Sequence, residues 1–491
     1  LTAGALDGLP RAVQRPAYPI PAARIGVVHL GVGNFFRAHQ AVYLDDAMNA
    51  GERGWAVCGV SLRNPDTRDA LAPQQGLYTL VERDAAGARA RIIGSLRELR
   101  VAPDDPGTVI DRIAAVDTRW VMLTITEKGY GHRPAADGHD VGLDTDRPDI
   151  AHDLAHPESP CSAVGLLHAA ALRRRRHGQP GLTVLSCDNL SGNGSLLRRL
   201  LQEFDRERGR QLGDWIADAL RFPDTMVDRI VPRTTDADRR TARELTGCDD
   251  AWPVTTEPFR QWVIQDDFAG PRPLLERSGV QIVPDVRPFE AMKLRLLNAA
   301  HSAIAWLGLP AGLATVDAAI AVPTLRRAVT ALWHDEVIPG LDPAIVPLAP
   351  AYCARLLDRF DNPGLAHRTA QIAMDGSQKL PLRVLPSIRA NRRLGLPTEH
   401  LTLTVAAWIR YLGGVDEAGR PFSPEDPLAT RLQPGARLPS ATDAADAVLA
   451  ERSVFTDLAD DRAFAAAVAT GLDRLRRHGS LATLAAMNAP A

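Results

Sequence analysis

Ile25-Gly-Val-Val-His-Leu30 runs directly into Gly31-Val-Gly33-Asn-Phe-Phe36. The first six residues form a short apolar run of the kind that makes a buried strand, and a helical pattern opens after the glycines. Gly31 permits a tight turn. Gly33 lets the backbone come close to a pyrophosphate at a helix N-terminus. The third glycine of the dinucleotide fingerprint is missing, and Phe36 stands in its place. A bare G-x-G-x-x-F also fits a plain structural turn. The strand before it, the helix after it and its early position favour dinucleotide binding.

Outward from this stretch, apolar runs alternate with helical patterns. Trp55–Leu62, Trp120–Thr126 and Leu182–Cys187 read as further strands. Leu77–Glu82 and Ala90–Gly94 read as a hairpin around Asp84–Gly87. Helices fit over Ala38–Asn49 and Ala163–His177. The expected fold is α/β, a Rossmann-type domain with a mainly parallel sheet over residues 1–285. From Phe289 onward the segments 289–307, 323–337, 350–359, 366–374, 400–413 and 443–476 read as helices punctuated by Pro and Gly. A mostly α-helical domain over 286–491 is therefore expected, and 491 residues are too many for one ordinary core.

A net charge of −2 gives no reason to expect nucleic acid or an anionic membrane as partner. The one dense basic cluster, Arg173-Arg-Arg-Arg176, reads as the end of a surface helix. The five cysteines are odd in number and lack C-x-x-C spacing. That pattern favours reduced thiols over a disulfide framework or a zinc site, so no metal is expected. No run of 18 apolar residues appears. Leu1-Thr-Ala-Gly-Ala5 lacks a charged segment followed by an apolar one, so secretion is not expected and the cytoplasm is the anticipated location. A monomer or weak oligomer is anticipated.

The chemistry concentrates in Glu290-Ala-Met-Lys-Leu-Arg-Leu-Leu-Asn-Ala-Ala-His301, read as one uninterrupted helix. At about 100° per residue, Lys293, Glu290, His301 and Asn298 fall at about 0°, 60°, 80° and 140° on its wheel. One arc carries an amine, a carboxylate, an imidazole and an amide. A lysine beside groups that orient a hydroxyl can act as general base if burial lowers its pKa. A solvated polar stripe is the plainer reading. The nearly apolar continuation Ser302–Leu307 favours a cleft wall.

Other motifs come after strands. An acid should hold the adenosine ribose at the end of the second strand; Asp66 or Asp69 can reach it, while Arg63 suits a 2′-phosphate. NAD is preferred, with NADP as the alternative. In Ser186-Cys-Asp-Asn189, Asn189 either donates to a developing alkoxide or closes an Asx-turn. Glu127 and Lys128 in Thr126–Tyr130 shape a cleft or a turn. Met226–Pro232, with Asp228, and Glu257–Val263 form a salt-bridge network or a substrate wall. Asp375-Gly-Ser-Gln-Lys379 reads as a polar loop whose Lys379 can anchor a hydroxylated ligand.

Together these segments resemble the mannitol dehydrogenase family, the polyol-specific long-chain dehydrogenases. The resemblance runs from His29–Gln40 to about Val415, through Thr126–Tyr130, Ser186–Asn189, Met226–Ile230, Glu257–Phe259, Met292-Lys293, Leu297-Asn298 and His301. It implies a zinc-independent, NAD-dependent oxidoreductase that moves a hydride between a secondary alcohol of an open-chain sugar derivative and its keto form. It implies Lys293 as general base, Asn189 and Asn298 as oxyanion-type donors, His301 as a substrate-orienting group and Glu290 as a guide for proton exchange. Gly31, Gly33 and Phe35 fall in its cofactor loop; Asn34 beside them and Asp66 after the second strand complete the candidate cofactor contacts.

One departure bears on the substrate. Gln371 stands where the mannitol 2-dehydrogenase branch carries an Arg, and the version here looks more like the fructuronate reductase (mannonate oxidoreductase) branch. A carboxylate on the substrate is therefore expected, met by Arg295 or Arg368. Asp228 and Lys379 complete the candidate substrate contacts. A fructuronate reductase is favoured slightly; a mannitol 2-dehydrogenase or other polyol dehydrogenase is the alternative. A nucleotide-binding scaffold without turnover is the reading of another class, and the Lys-Asn-His set argues against it.

Overall fold

The computed structural model describes residues 1–133 and 142–487 and divides into two compact units, Leu1–Arg287 and Pro288–Ala491. The first unit is built on six strands: β1 (Ile25–Leu30), β2 (Ala56–Ser61), β3 (Leu96–Val101), β4 (Trp120–Leu123), β5 (Leu182–Ser186) and β6 (Leu220–Arg221). Their spatial order is β3-β2-β1-β4-β5-β6, and every neighbouring pair is parallel. This is the doubly wound dinucleotide-binding order, whose switch point lies between β1 and β4.

Both faces of the sheet are covered, which is why its inner strands are buried almost throughout and mostly apolar. On β1, Val28 and Leu30 enter a core with Val164, Leu167 and Ala170 of a helix over Ala163–Arg176. Val27 points the other way, into a core with Phe36, Ala41 and Leu44. The period-two alternation of the strand thus feeds two cores at once.

Several expectations are adjusted. The first helical segment starts earlier than Ala38 and is broken: α1 (Asn34–Ala38) and α2 (Gln40–Asn49) meet at His39, whose φ of −123° and ψ of −88° are not helical. The strand expected over Trp120–Thr126 stops at Leu123. The hairpin is present, with Asp84 opposite Gly87, but it joins Val254–Thr256 in a separate three-stranded sheet. β3 lacks the apolar run of the other strands because Leu-Arg-Glu-Leu-Arg-Val forms an edge of the sheet, where charges are tolerated. Arg174 is buried and donates to the carbonyls of Ala115 at 2.8 Å and Pro180 at 2.7 Å. The basic cluster is therefore partly a staple inside the fold.

The described part of the second unit is helical. Its central helix, Ala299–Gly308, has every residue buried and packs on Thr369–Ala373 and Glu399–Leu412. Trp306 Nε1 donates to the Ala373 carbonyl at 3.0 Å. The helix expected over 443–476 is divided into Ala441–Leu449, Arg452–Phe455, a 3₁₀ turn and Arg462–Met487, with Ser440 and Asp461 capping the new starts. The polar segment expected as a loop opens a helix, Gly376–Arg383. Glycine is required at 376, since a Cβ there would lie 2.0 Å from Trp408 Nε1. No helix among the described residues is long and apolar enough to cross a membrane.

Candidate active site

In the first unit a cavity of about 490 Å³ opens at the carboxyl ends of β1, β2 and β4. Gly31 has φ +94°, and a Cβ on it would meet the Thr124 carbonyl at 2.1 Å. Only glycine permits this crossing of the two strand ends. Gly33 also lines the cavity, and a Cβ built there meets nothing within 4 Å, so its backbone faces open space. The pair forms a cradle that fits a dinucleotide pyrophosphate. Phe36, in the place of the third glycine, is buried and stacks on His29 at 3.7 Å.

The neighbouring residues divide into cavity wall and scaffold. Arg63, Asn64 and Thr67 line the cavity beyond β2. Asp66 is exposed at the start of the helix Asp66–Leu71, and Asp69 is held by Arg68 at 2.8 Å. Asn34 faces inward: Nδ2 donates to the Pro232 carbonyl and to Thr234 Oγ1, both at 3.1 Å. Phe35 is half-buried and stacks on His39 at 5.0 Å.

Thr126 lines the same cavity with φ +64° and ψ 162°, a conformation rarely open to a β-branched residue. Asp188 holds it there. One carboxylate oxygen accepts from the Thr126 N–H at 3.0 Å, and the other from Ile125 N–H and Tyr130 OH, each at 2.8 Å. Burial pushes the Asp188 carboxyl above its ordinary range, and these three donors oppose that shift. Asn189 comes next, on an exposed bend beyond β5.

The two acidic–basic motifs meet around Arg229. Its guanidinium donates to the Glu257 carbonyl at 3.0 and 2.7 Å and also reaches Glu82. Glu257 Oε1 accepts from the Ile230 N–H at 2.6 Å. This part of the expected substrate wall is a structural network. Asp228, buried, ends the strand Thr225–Asp228.

In the second unit, Lys293, Glu290 and His301 are buried and Asn298 is half-buried. The helix carrying them is not uniform. Arg287–Met292 is α-helical, Lys293–Asn298 is a π turn, and α-helix resumes at Ala299. The Ala299 N–H bonds to the Leu294 carbonyl, five residues back. The wheel drawn at about 100° per residue therefore fails beyond Lys293, because a π turn inserts an extra residue and rotates every later side chain about the axis. Trp333 supplies a fixed donor to this turn: its Nε1 bonds the Leu296 carbonyl at 2.9 Å.

His301 packs against Phe360 at 4.7 Å and edge-on against His367 at 5.4 Å. Its Nε2 is buried without a hydrogen-bond partner among the described residues. Burial, with His367, Arg359, Arg383 and Lys379 nearby, holds the imidazole well below its usual pKa. A neutral ring with a spare nitrogen can bond a hydroxyl.

Lys379 Nζ donates to the carbonyls of Ile372 at 3.1 Å and Met374 at 2.5 Å. Burial, then the charge of Arg383, brings its pKa down to about 8. Arg383, one helical turn on, was not anticipated. It donates to Ser302 Oγ at 3.2 Å and lies 3.5 Å from the Asn298 carbonyl. The sequence signal for it was its i+4 spacing from Lys379. The two arginines expected to meet a carboxylate sit elsewhere. Arg295 donates to the Gly340 carbonyl at 3.3 Å, and Arg368 is exposed at a helix start. Gln371 is exposed as well.

Residues 25–277 match the family model described as the mannitol dehydrogenase Rossmann domain, and residues 285–476 match the mannitol dehydrogenase C-terminal domain. The chain is 41% identical to a mannitol 2-dehydrogenase of Phaeosphaeria nodorum over 96% of this chain and 82% of that protein. It is similar to the structure of Pseudomonas fluorescens mannitol 2-dehydrogenase in ternary complex with NAD and D-mannitol, with a TM-score of 0.84, 39% identity and 99% of both chains covered. A D-sorbitol dehydrogenase in substrate-free form superposes with a TM-score of 0.91 at 31% identity, covering 99% of this chain and all of that one.

Proposed function

The chain belongs to the mannitol dehydrogenase family, and from that premise we propose that it oxidises a secondary hydroxyl of an open-chain sugar alcohol with NAD, in the manner of a mannitol 2-dehydrogenase. It is an NAD-dependent oxidoreductase acting on CH–OH groups. The observation that carries the substrate reading is the full-length likeness, at 39% identity, to an enzyme seen with NAD and D-mannitol. The likeness supports the mannitol-type alternative better than the slight preference for a fructuronate reductase. The relatives are named for mannitol and sorbitol, and the two arginines offered for a carboxylate are turned to a backbone carbonyl and to solvent.

The cradle of Gly31 and Gly33 would hold the pyrophosphate of NAD, whose nicotinamide would supply the hydride acceptor. Lys293 takes the hydroxyl proton, and in the reverse direction its ammonium returns it. Asn298 and Asn189 donate to the alkoxide as charge develops; such donors are worth roughly 3–4 kcal/mol in comparable oxyanion sites. His301, kept neutral by burial, orients a hydroxyl through Nε2. Glu290, three residues before Lys293, serves proton exchange between the amine and water. Asp228 and Lys379 hold the remaining hydroxyls.

The test is kcat/KM for D-mannitol, D-sorbitol, D-arabinitol and D-mannonate with NAD⁺ and NADP⁺. A polyol with NAD⁺ should lead. If mannonate outruns every polyol, the mannitol-type reading fails.

A further inference from the structure

Two residues of the helix Pro148–Ala155 face the segment that precedes the helix Ala163–Arg176. His152 Nδ1 lies 3.1 Å from Asp153 Oδ1 and 3.7 Å from Cys161 Sγ. One ligand atom from each of the three residues lies within 4.8 Å of the others, and among the described residues this is the group of His, Cys and acidic side chains that converges so closely. Its chemistry is mixed: a thiol, an imidazole and a carboxylate.

His152 and Asp153 meet in a hydrogen bond, and the Cys161 thiol stands beside the pair. Asp153 is fully buried, and its Oδ2 is taken by the N–H and hydroxyl of Ser162 at 2.8 and 2.6 Å. Its Oδ1 accepts from the Cys161 N–H at 2.8 Å, and its second lone pair meets His152 Nδ1 at 3.1 Å, the contact that an ion would replace. The Cys161 thiol lies 3.7 Å from His152 Nδ1 and 3.8 Å from the Asp149 carbonyl, with the Asp153 carboxylate also beside it. The carboxylate is thus fixed by the Cys161 and Ser162 donors, while the imidazole and thiol are exposed and can adjust.

We propose that His152, Asp153 and Cys161 bind a divalent zinc ion through Nδ1, Oδ1 and Sγ, with water completing the tetrahedron. Zinc bonds of about 2.0–2.3 Å at tetrahedral angles put ligand atoms about 3.4–3.6 Å apart. The observed 3.1 and 3.7 Å are close to that spacing. A set of one sulfur, one nitrogen and one oxygen suits zinc better than magnesium or calcium, which take oxygen. On binding, the ion displaces the thiol proton to solvent, and the imidazole proton resides on Nε2. The Ser162 donors hold the carboxylate in place from behind. Cys161 also lines the cavity described above, so the ion has an entry path. The site belongs to the first unit and takes no part in the proton transfer assigned to Lys293.

The experiment is titration of the full chain, dialysed free of metal, with Zn²⁺ against a chromophoric chelator, and with Co²⁺ followed by absorbance. One zinc per chain should bind, with at least tenfold weaker binding in both Cys161→Ser and His152→Ala. Co²⁺ should give a thiolate charge-transfer band that Cys161→Ser lacks. Circular dichroism of each variant checks that it is folded. Zinc binding by folded Cys161→Ser equal to that of the unaltered chain, or no binding by the unaltered chain, overturns the proposal.

Discussion

The Asp188 carboxylate accepts the backbone N–H of Thr126 at 3.0 Å and fixes that residue at φ +64°, ψ 162°. A non-glycine residue in this region costs of order 1–3 kcal/mol and persists only when its surroundings over-determine it. Here the determinants are known. The same carboxylate takes Ile125 and Tyr130, so one side chain sets the loop after β4 on the wall of the cavity at the ends of β1, β2 and β4.

Asp188→Asn should therefore weaken NADH binding by about tenfold, or ~1.4 kcal/mol, because an amide cannot accept all three donors. Fluorescence titration of NADH checks it. Affinity within about twofold of the unaltered protein would show that the loop keeps its shape without Asp188.

Lys293→Ala should lower kcat by about 10²–10⁴-fold while NADH affinity stays nearly intact. Dialysis against EDTA should leave kcat unchanged, since proton transfer is assigned to an amine and charge stabilisation to amides. Undiminished turnover in the variant, or activity lost with EDTA and restored by Zn²⁺, refutes the assignment.

Trp333→Phe removes the indole N–H from the Leu296 carbonyl, which keeps the backbone N–H of Ala299 as its remaining donor. Stability should fall by about 0.5–1.5 kcal/mol in chemical denaturation, the net worth of one hydrogen bond. Because the turn carries Lys293 and Asn298, kcat should fall more than KM rises. A stability loss with kcat unchanged would separate the turn from catalysis.

His39 is buried, and desolvation lowers its pKa from 6.5 to about 3. The unfolded chain binds this proton first as pH falls through 6.5, so the stability tied to neutral His39 is complete above that value and is lost on acidification towards 3. At about pH 5 the loss should be ~2 kcal/mol from this group. His39→Phe should flatten the dependence of unfolding free energy on pH by roughly 1.4 kcal/mol per unit over about pH 5–6. Equal slopes for the two proteins would remove His39 as the source.

The sequence by itself determined the fold class, the glycine turn after the first strand and the family. These rest on local signals: an apolar run before Gly31-Val-Gly33, strand–helix alternation, and short motifs in a fixed order. Such signals are written into consecutive residues, so they survive without knowledge of the partners. Tertiary structure decided the rest. Whether residues 293–298 wind as α or π depends on i→i+4 against i→i+5 bonding, and Trp333, distant in sequence, donates to that turn. Arg295 and Arg383 look equivalent as letters, yet one reaches a carbonyl at Gly340 and the other Ser302 beside the π turn. The polar stretch at 375–379 became a helix start because Gly376 packs on Trp408 and Asp426 accepts the Ser377 N–H. Cys161 gave no metal spacing in sequence, since His152 and Asp153 reach it only by the packing of one helix beside the start of another. Periodicity records which face of a segment is apolar; the partner that face meets is a property of the folded chain.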